Sequence, residues 1–221
     1  MAPKIVYFPV RGRAEVMKLA IAYGGEDFEL ELVNYEDMKK DTDAYKFGQC
    51  PRLIDGDVDM VQSNAICRYL ARKYGLYGKS DAETNAVDEI LEGVESLRTK
   101  YLTLVYQDKL ADEPKAAYWK THCDPESAAA RNGGAHLAYL SRLLKRNSAG
   151  GGKALVGSDV TMADLQVFDI VDLHARIFGD ELKAAYPDLI AFHEHIAGLP
   201  GIKEYLASPK RVAAVNGNNL G

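Results

Sequence analysis

Two polar positions in the first third of the chain could take part in chemistry. Tyr7 follows a short apolar run, so its phenol stands at the predicted C-terminal end of a strand, where the O–H can donate a hydrogen bond. Ser63 stands at the predicted start of a helix, where it can cap the helix or meet an anionic ligand. Neither position is specific by itself, because the chain has 13 tyrosines and a serine before a helix is usually a cap.

The thiols offer a third kind of chemistry. The chain has three cysteines, Cys50, Cys67 and Cys123, which lie far apart and form no CxxC or Cys/His spacing. This pattern argues against a disulfide framework and against a zinc site, so we expect no metal. A reducing cytosol is the simplest setting for such a set of thiols.

Composition excludes several classes of protein. The chain has 221 residues, of which 47% are apolar and 27% are charged, enough to build two compact units. A net charge of −5 gives no long-range attraction to nucleic acid or to an anionic membrane. The N-terminus lacks the apolar core of a signal peptide, and no apolar run could span a bilayer. We therefore expect a cytoplasmic protein without nucleic-acid or membrane partners.

The first 78 residues alternate strand and helix patterns. The helix after the first strand ends at Gly24, and the later strands flank an Asp-Gly-Asp turn typical of a hairpin. The predicted order is βαβ followed by ββα, with strands at 4–8, 28–32, 52–54 and 58–61 and with helices after Gly12 and from Ser63.

Residues 79–221 are predicted to form an all-helical unit. Apolar residues recur there at spacings of three and four, which indicates one long amphipathic helix through Val87 and Leu104 and further helices near 137–144, 165–177 and 191–196. Thr161 and Asp164 have the spacing of a capping box before an apolar helix, with aspartate in place of the usual glutamate. We expect this box to serve folding and not chemistry.

Five short strings occur in one order along the chain and together resemble the cytosolic glutathione transferases, most of all the pi class and next the sigma class. The strings are Val6–Arg13, Phe47–Pro51, Gln62–Asn64, Gly75–Lys79 and, in the tail, Leu206–Pro209 followed by Asn216–Asn218. The resemblance implies a thioredoxin-like α/β domain with a mixed four-stranded sheet, followed by an all-α domain. It also implies glutathione as co-substrate and small hydrophobic electrophiles as partners.

The resemblance assigns roles to particular residues. Tyr7 would donate to the glutathione sulfur and lower its pKa, and Pro51 would be a cis-proline. The implied glutathione-binding residues are Tyr7, Arg13, Gln49, Cys50, Pro51, Gln62 and Ser63. The implied electrophile pocket is formed by Phe8, Val10, Val33 and Tyr106. Phe47 resembles the aromatic key that one subunit inserts into the other, which predicts a homodimer.

The chain departs from the family pattern at three places. Trp119 is its only tryptophan, so Met38 could take the place of the usual tryptophan, and Lys39, Lys40 or Lys46 could reach the glycyl carboxylate. Ser96 stands where an aspartate is usual, and Cys50 stands where an apolar residue is usual. The Cys50 thiol could form a mixed disulfide with glutathione or could be buried and inert.

Two alternatives to a transferase remain open from the sequence. One is a sigma-like isomerase or peroxidase that uses the same glutathione thiolate. The other is a non-catalytic member of the fold that carries ligands or serves a structural role.

Overall fold

The chain forms two compact units. The computed structural model describes residues 2–221, the side chain of Asn132 excepted. The first unit runs to Leu76 and includes Gly198–Asn219, and the second comprises Tyr77–Ala197 with Leu220–Gly221. The predicted fold class, a thioredoxin-like unit with an all-helical unit, is confirmed.

The first unit is built on a mixed four-stranded sheet. Its strands are β1 (Lys4–Tyr7), β2 (Glu29–Leu32), β3 (Arg52–Asp55) and β4 (Val58–Val61). The spatial order is β2-β1-β3-β4, in which β1 and β2 are parallel and the other neighbours are antiparallel. The β3–β4 hairpin predicted around Gly56 is therefore present, as is the βαβ crossover before it.

Helices of the first unit supply much of its core. They are α1 (Glu15–Tyr23), α2 (Tyr35–Lys40), α3 (Ser63–Lys73) and, after the second unit, α10 (Ile202–Ala207). Helix α1 contacts both α3 and α10, and the apolar residues that α1 and α3 bury are almost inaccessible to solvent. Helix α1 follows directly on a 3₁₀ turn at Gly12–Ala14, so the loop after β1 leads without a break into the helix.

Helix α2 is an element that the sequence pattern did not predict. It has six residues, and only one of them, Met38, is buried. Its start is fixed by Asn34, whose side chain accepts hydrogen bonds from the N–H groups of Glu36 (3.0 Å) and Asp37 (3.3 Å). A helix with a single buried residue has no 3.6-residue apolar period to read, and only its cap signals it.

The second unit is helical throughout its regular structure. Its helices are α4 (Asp81–Leu102), α5 (Asp112–Tyr118), α6 (Ala129–Asn132), α7 (Leu137–Arg146), α8 (Met162–Ala185) and α9 (Pro187–Ala197), with π-helical turns at Thr103–Gln107 and Trp119–Cys123. Helix α8 packs against α4 and α9 and is interrupted at Gly179, which has a φ of 49°. The long helix predicted from the apolar spacing corresponds to α4, which buries that apolar stripe.

Candidate active site

The end of the sheet where β1 finishes gathers the predicted glutathione-binding positions. Val6 pairs with Arg52, and Arg52 pairs with Val61, so the residues next to them lie side by side at one end of the sheet. These neighbours are Tyr7 at the end of β1, Pro51 just before β3 and Gln62 just after β4. Residues that are more than 40 positions apart in the sequence are thus brought together by strand register alone.

Tyr7 is the last residue of β1, and its side chain is only 8% exposed. The backbone N–H of Arg13, in the 3₁₀ turn that begins the first helical segment, donates to the Tyr7 hydroxyl oxygen at 3.1 Å. A phenol oxygen that accepts such a bond still carries its own proton, which it can donate to another acceptor. The arrangement suits a phenol that must act as a hydrogen-bond donor toward a ligand.

Gly12 lets the loop backbone approach this hydroxyl. A Cβ atom at this position would lie 2.6 Å from the Tyr7 hydroxyl oxygen, which is closer than van der Waals contact allows. The φ of Gly12 is +42°, in the region that side chains with a Cβ rarely adopt. Glycine is therefore required here for both space and backbone conformation.

The loop before β3 carries the predicted proline site. The Cys50–Pro51 peptide bond is cis, as the resemblance implied. Cys50 is half-buried, and burial raises the pKa of its thiol to about 11, although the nearby charge of Lys39 acts in the opposite direction. A thiol with this pKa is almost fully protonated at neutral pH and is a poor nucleophile.

The structure corrects the capping role expected for Ser63. Helix α3 begins at Ser63 itself, and Gln62 occupies the N-cap position, where its side chain makes no capping hydrogen bond. Gln62 has a φ of 77°, one of few positive values at a non-glycine residue. Such backbone strain is characteristic of ligand sites, and the first amide groups of a helix suit a carboxylate.

Three predicted pocket residues of the first unit differ in their surroundings. Phe8 is partly exposed and contacts the Tyr7 ring edge-on, with 5.7 Å between the ring centroids. Val10 is buried. Val33 is partly buried and packs against a small core cluster that includes Met38. Cys50 packs against the same cluster.

Of the three lysines considered for the glycyl carboxylate, Lys46 lies in the loop that leads to Pro51, and Lys39 contacts that loop from α2. Its ammonium group donates to the carbonyl oxygen of Gly48 at 2.9 Å. Lys40 instead lies 3.8 Å from the carboxylate of Glu36, on the same short helix. Lys39 and Lys40 thus have different partners, a difference that the sequence pattern could not show because it depends on how α2 is oriented.

Tyr106 lies in the π-helical turn that continues α4, and its side chain is partly exposed. Two residues shortly after it, Lys109 and Leu110, have positive φ values of 52° and 56°. π-Helical turns and left-handed residues are both over-represented at functional sites. Ser96 lies on the exposed surface of α4, where its hydroxyl donates to the Glu92 carbonyl oxygen at 3.1 Å.

The carboxylate of Asp164 sits at the N-terminus of α8 and is fully buried. It accepts from the Thr161 N–H (2.7 Å), the Thr161 hydroxyl (2.8 Å) and the Leu155 N–H (2.7 Å). Burial raises the pKa of Asp164 to about 6 in spite of these donors. The contacts tie the preceding loop to the helix start and involve no exposed group.

Between residues 2 and 221, no helix is both long and apolar enough to cross a membrane. Within the same residues, no three His, Cys, Asp or Glu side chains are grouped so that they could hold a metal ion.

Comparison with known proteins identifies the family. The N-terminal domain of glutathione S-transferase matches residues 3–72, and the C-terminal domain matches residues 95–209. The chain is 36% identical to glutathione S-transferase P 1 of Xenopus laevis, over 94% of this chain and 92% of that protein. It is 35% identical to a glutathione S-transferase of Dirofilaria immitis, over 99% of each chain.

A solved structure agrees with these matches. The pi-class glutathione S-transferase of Onchocerca volvulus superposes with a TM-score of 0.81 and 32% identity, over 100% of each chain. Together, the matched domains and relatives show a protein of the transferase class. The chain belongs to the glutathione S-transferase family, and within it the chain is similar to the pi class, as its sequence strings predicted.

Proposed function

We propose that the protein conjugates glutathione to small hydrophobic electrophiles and that Tyr7 activates the thiol. The observation that carries the proposal is the hydrogen bond from the Arg13 N–H, in the 3₁₀ turn before α1, to the Tyr7 hydroxyl oxygen at 3.1 Å. This contact orients the phenol oxygen toward the loop, so that the phenol proton is available for the sulfur of bound glutathione. The thiolate would then attack the electrophile.

The required energy is within reach of such a site. A free thiol has a pKa of about 8.5, and lowering it by about 2 units takes about 2.7 kcal/mol of preferential interaction with the thiolate. A hydrogen bond to a charged group contributes about 1.5–3 kcal/mol. The Tyr7 phenol could therefore supply most of the shift, and the positive end of the helical segment at Arg13 would add to it.

The rest of glutathione would bind along the same end of the sheet. The backbone of Cys50, set by cis-Pro51, would pair with the cysteinyl part, and Gln49 would bind beside it. The γ-glutamyl carboxylate would meet Gln62 and the N–H and hydroxyl of Ser63 at the start of α3. We assign the glycyl carboxylate to Lys39, since this lysine already lies against the Gly48 carbonyl.

The proposed electrophile pocket uses apolar side chains from the loop after β1. Phe8 and Val10 would provide apolar contact, and Val33 would provide the part of its surface that the core leaves open. Tyr106 would donate from its hydroxyl to charge that develops on the electrophile. A Tyr106→Phe variant tests this role, because it should lower kcat for electrophiles that gain charge and leave the thiolate pKa unchanged.

We further propose that the protein is a homodimer with Phe47 as the aromatic key. Phe47 is 66% exposed, so its ring is accessible to a partner surface. The second unit has a cavity of about 520 Å³ between α4 and α7, with Ile90, Leu140 and Leu143 in its wall. A Phe47 side chain from a second copy would occupy part of this cavity and make apolar contacts with its wall.

Light scattering tests this assembly. A Phe47→Ser variant should shift the mass at micromolar concentration toward the monomer, whereas Tyr35→Phe, a conservative change at another exposed aromatic residue, should leave the mass unchanged. A wild-type protein that is monomeric at this concentration would contradict the proposal.

The activation step is tested by ultraviolet titration of glutathione bound to the purified protein. The wild-type protein should form thiolate well below the pKa of the free thiol, and Tyr7→Phe should lose most of this shift together with conjugation of a chlorodinitrobenzene. Tyr69→Phe is the matched control, because its hydroxyl donates to Asp55 at the opposite end of β3. Glutathione that binds without ionising would instead favour a carrier or structural role.

The reaction catalysed by the thiolate and the setting of the protein are part of the same proposal. Relatives named glutathione S-transferase favour conjugation over the isomerase or peroxidase alternative. Assays with a lipid hydroperoxide beside the conjugation assay would separate these activities. We place the protein in the cytosol, where its three free thiols would stay reduced.

A further inference from the structure

The loop after β1 is held in place by a distant part of the chain. Residues 211–215, which we name the strap, run alongside this loop within the first unit. The backbone N–H of Arg11 donates to the Ala214 carbonyl oxygen at 2.9 Å, and the N–H of Gly12 donates to the Val215 carbonyl oxygen at 3.1 Å. The strap therefore pairs with the two residues that immediately precede Arg13.

A buried carboxylate fixes the strap from the other side. Glu15 is fully buried and accepts from the Tyr205 hydroxyl at 2.8 Å and from the Arg211 Nε at 2.9 Å. Its own backbone N–H donates to the carbonyl oxygen of Gly12. Glu15 thus links the strap to the loop: its side chain accepts from Arg211 of the strap, and its backbone N–H donates to Gly12 of the loop.

The chemistry of this cluster keeps its bonds formed. Burial, and secondly the Glu15 carboxylate, raise the pKa of the Tyr205 phenol, so the phenol stays protonated and donates. Arg211 supplies a permanent positive charge to a carboxylate that would be costly to bury alone. Such a cluster is rigid because losing either partner would leave the buried carboxylate short of a donor.

The loop held by the strap is the one that touches Tyr7. The Arg13 N–H lies 3.1 Å from the Tyr7 hydroxyl oxygen, and the Gly12 backbone passes so close that a Cβ would clash with it. Hydrogen bonds from N–H groups weaken quickly beyond about 3.2 Å. A displacement of the loop by a few tenths of an ångström would therefore weaken the hydrogen bond from the Arg13 N–H to the Tyr7 hydroxyl oxygen.

We infer that Glu15, Tyr205 and Arg211 are positioning residues that hold the Arg13 N–H on Tyr7 and thereby tune the acidity of bound glutathione. They act through the loop and the strap and do not touch the glutathione sulfur. The inference rests on the proposed function, because it acts through Tyr7 as the group that stabilises the thiolate.

Tyr205→Phe is the mildest test, since it removes one hydroxyl and keeps the ring that contacts Phe28. Arg211→Gln removes the charge from the same cluster, and Arg211→Lys restores the charge without the guanidinium geometry. The matched control is Lys210→Gln, a change at the residue next to Arg211. It breaks an exposed ion pair with Asp27 and leaves the Glu15 contacts intact.

The first readout is the pKa of glutathione thiolate in the complex, measured by ultraviolet titration and by the pH profile of kcat/KM. Tyr205→Phe and Arg211→Gln should raise this pKa by about 0.5–1 unit, which is about 3- to 10-fold less thiolate at a pH below both values. Arg211→Lys should recover part of the shift, and Lys210→Gln should show none.

Hydrogen exchange provides a second readout that does not depend on glutathione. The amides of Arg11 and Gly12 should exchange faster in Tyr205→Phe and Arg211→Gln than in Lys210→Gln. Variants that melt at a lower temperature but keep the thiolate pKa would overturn the positioning role and leave the strap as a structural feature only. A wild-type protein that never ionises glutathione would overturn the proposed function itself, even if the exchange results were as expected.

Discussion

Replacing Asp164 with alanine would remove the acceptor for three buried donors at the start of α8. These donors are the N–H and the hydroxyl of Thr161 and the N–H of Leu155, all within 2.8 Å of the carboxylate oxygens. Alanine cannot accept a hydrogen bond, and the fully buried site gives water little access to replace the carboxylate. The variant therefore leaves donors unpaired at a helix N-terminus.

The size of the effect at neutral pH follows from two opposing contributions. Each buried donor left without a partner costs about 1–3 kcal/mol, so three of them cost up to about 6 kcal/mol when relaxation is allowed for. Removing the carboxylate also removes the cost of burying its charge. That cost corresponds to raising its pKa from 3.8 to about 6, which is worth about 3 kcal/mol at pH 7. We expect a net loss of about 2–4 kcal/mol in the free energy of unfolding.

The pH dependence of this loss has a definite sign. Because the folded-state pKa of Asp164 lies above the unfolded value, the folded protein holds this proton more tightly. The stability that the proton contributes is fully present below pH 4 and is lost as the pH rises through about 6. The alanine variant lacks this group, so the difference from the wild type should grow as the pH falls from 7 to 4.5.

Urea unfolding at both pH values, at one fixed protein concentration, measures the difference. Asp159→Ala is the control, since this carboxylate is exposed near the same helix and contacts only side chains at the surface, those of Lys79 and Ser158. The control should leave the unfolding midpoint nearly unchanged. A wild-type advantage that shrinks in acid would refute the reasoning, because it would mean that the three donors outweigh burial and lower the pKa of Asp164.

Three further experiments, two with substitutions and one with glutathione disulfide, have definite expected results. Asp169→Ala should lower the free energy of unfolding by about 3–5 kcal/mol in urea titrations, because it strands the buried guanidinium of Arg98, now 2.6 Å from the carboxylate; a loss under 1 kcal/mol would contradict this. Gly12→Ala should lower kcat/KM at least 10-fold and destabilise the fold by about 1–3 kcal/mol, since its Cβ would meet the Tyr7 hydroxyl; wild-type kinetics would count against the close approach. Cys50, with a thiol pKa of about 11, should give no mixed disulfide in intact-mass analysis after treatment with glutathione disulfide at pH 7.5, and an adduct at this residue would revive the redox hypothesis.

Periodicity predicted the large elements of the fold because it reports burial. Helix α4 was visible in the sequence since its buried residues recur every three or four positions, and the β3–β4 hairpin was visible since Gly56 marks its turn. Helix α2 was missed, because a six-residue helix that buries only Met38 has no period. The prediction that Ser63 caps the helix was wrong, since the helix begins at this residue and not after it.

The candidate site could be proposed from the sequence only through its resemblance to a family. Tyr7 taken alone is one of 13 tyrosines, and nothing in its neighbours on the chain predicts the Arg13 contact. The positive φ of Gln62 has no signature in residue type, because glutamine rarely adopts it. The contact of Lys39 with the Gly48 carbonyl oxygen could not be predicted either, because it depends on the orientation of α2.

The sequence by itself determined what depends on residues close along the chain: the strands, the long helices, the capping box and the family to which their order points. The tertiary structure decided what depends on residues far apart. Glu15 meets Tyr205 and Arg211 across separations of 190 and 196 residues. A local pattern cannot encode such a contact, because the path of the intervening chain decides whether the two ends meet. The contact of Tyr7 with the Arg13 N–H, and the pairing of the strap with the loop, were therefore decided by the tertiary structure.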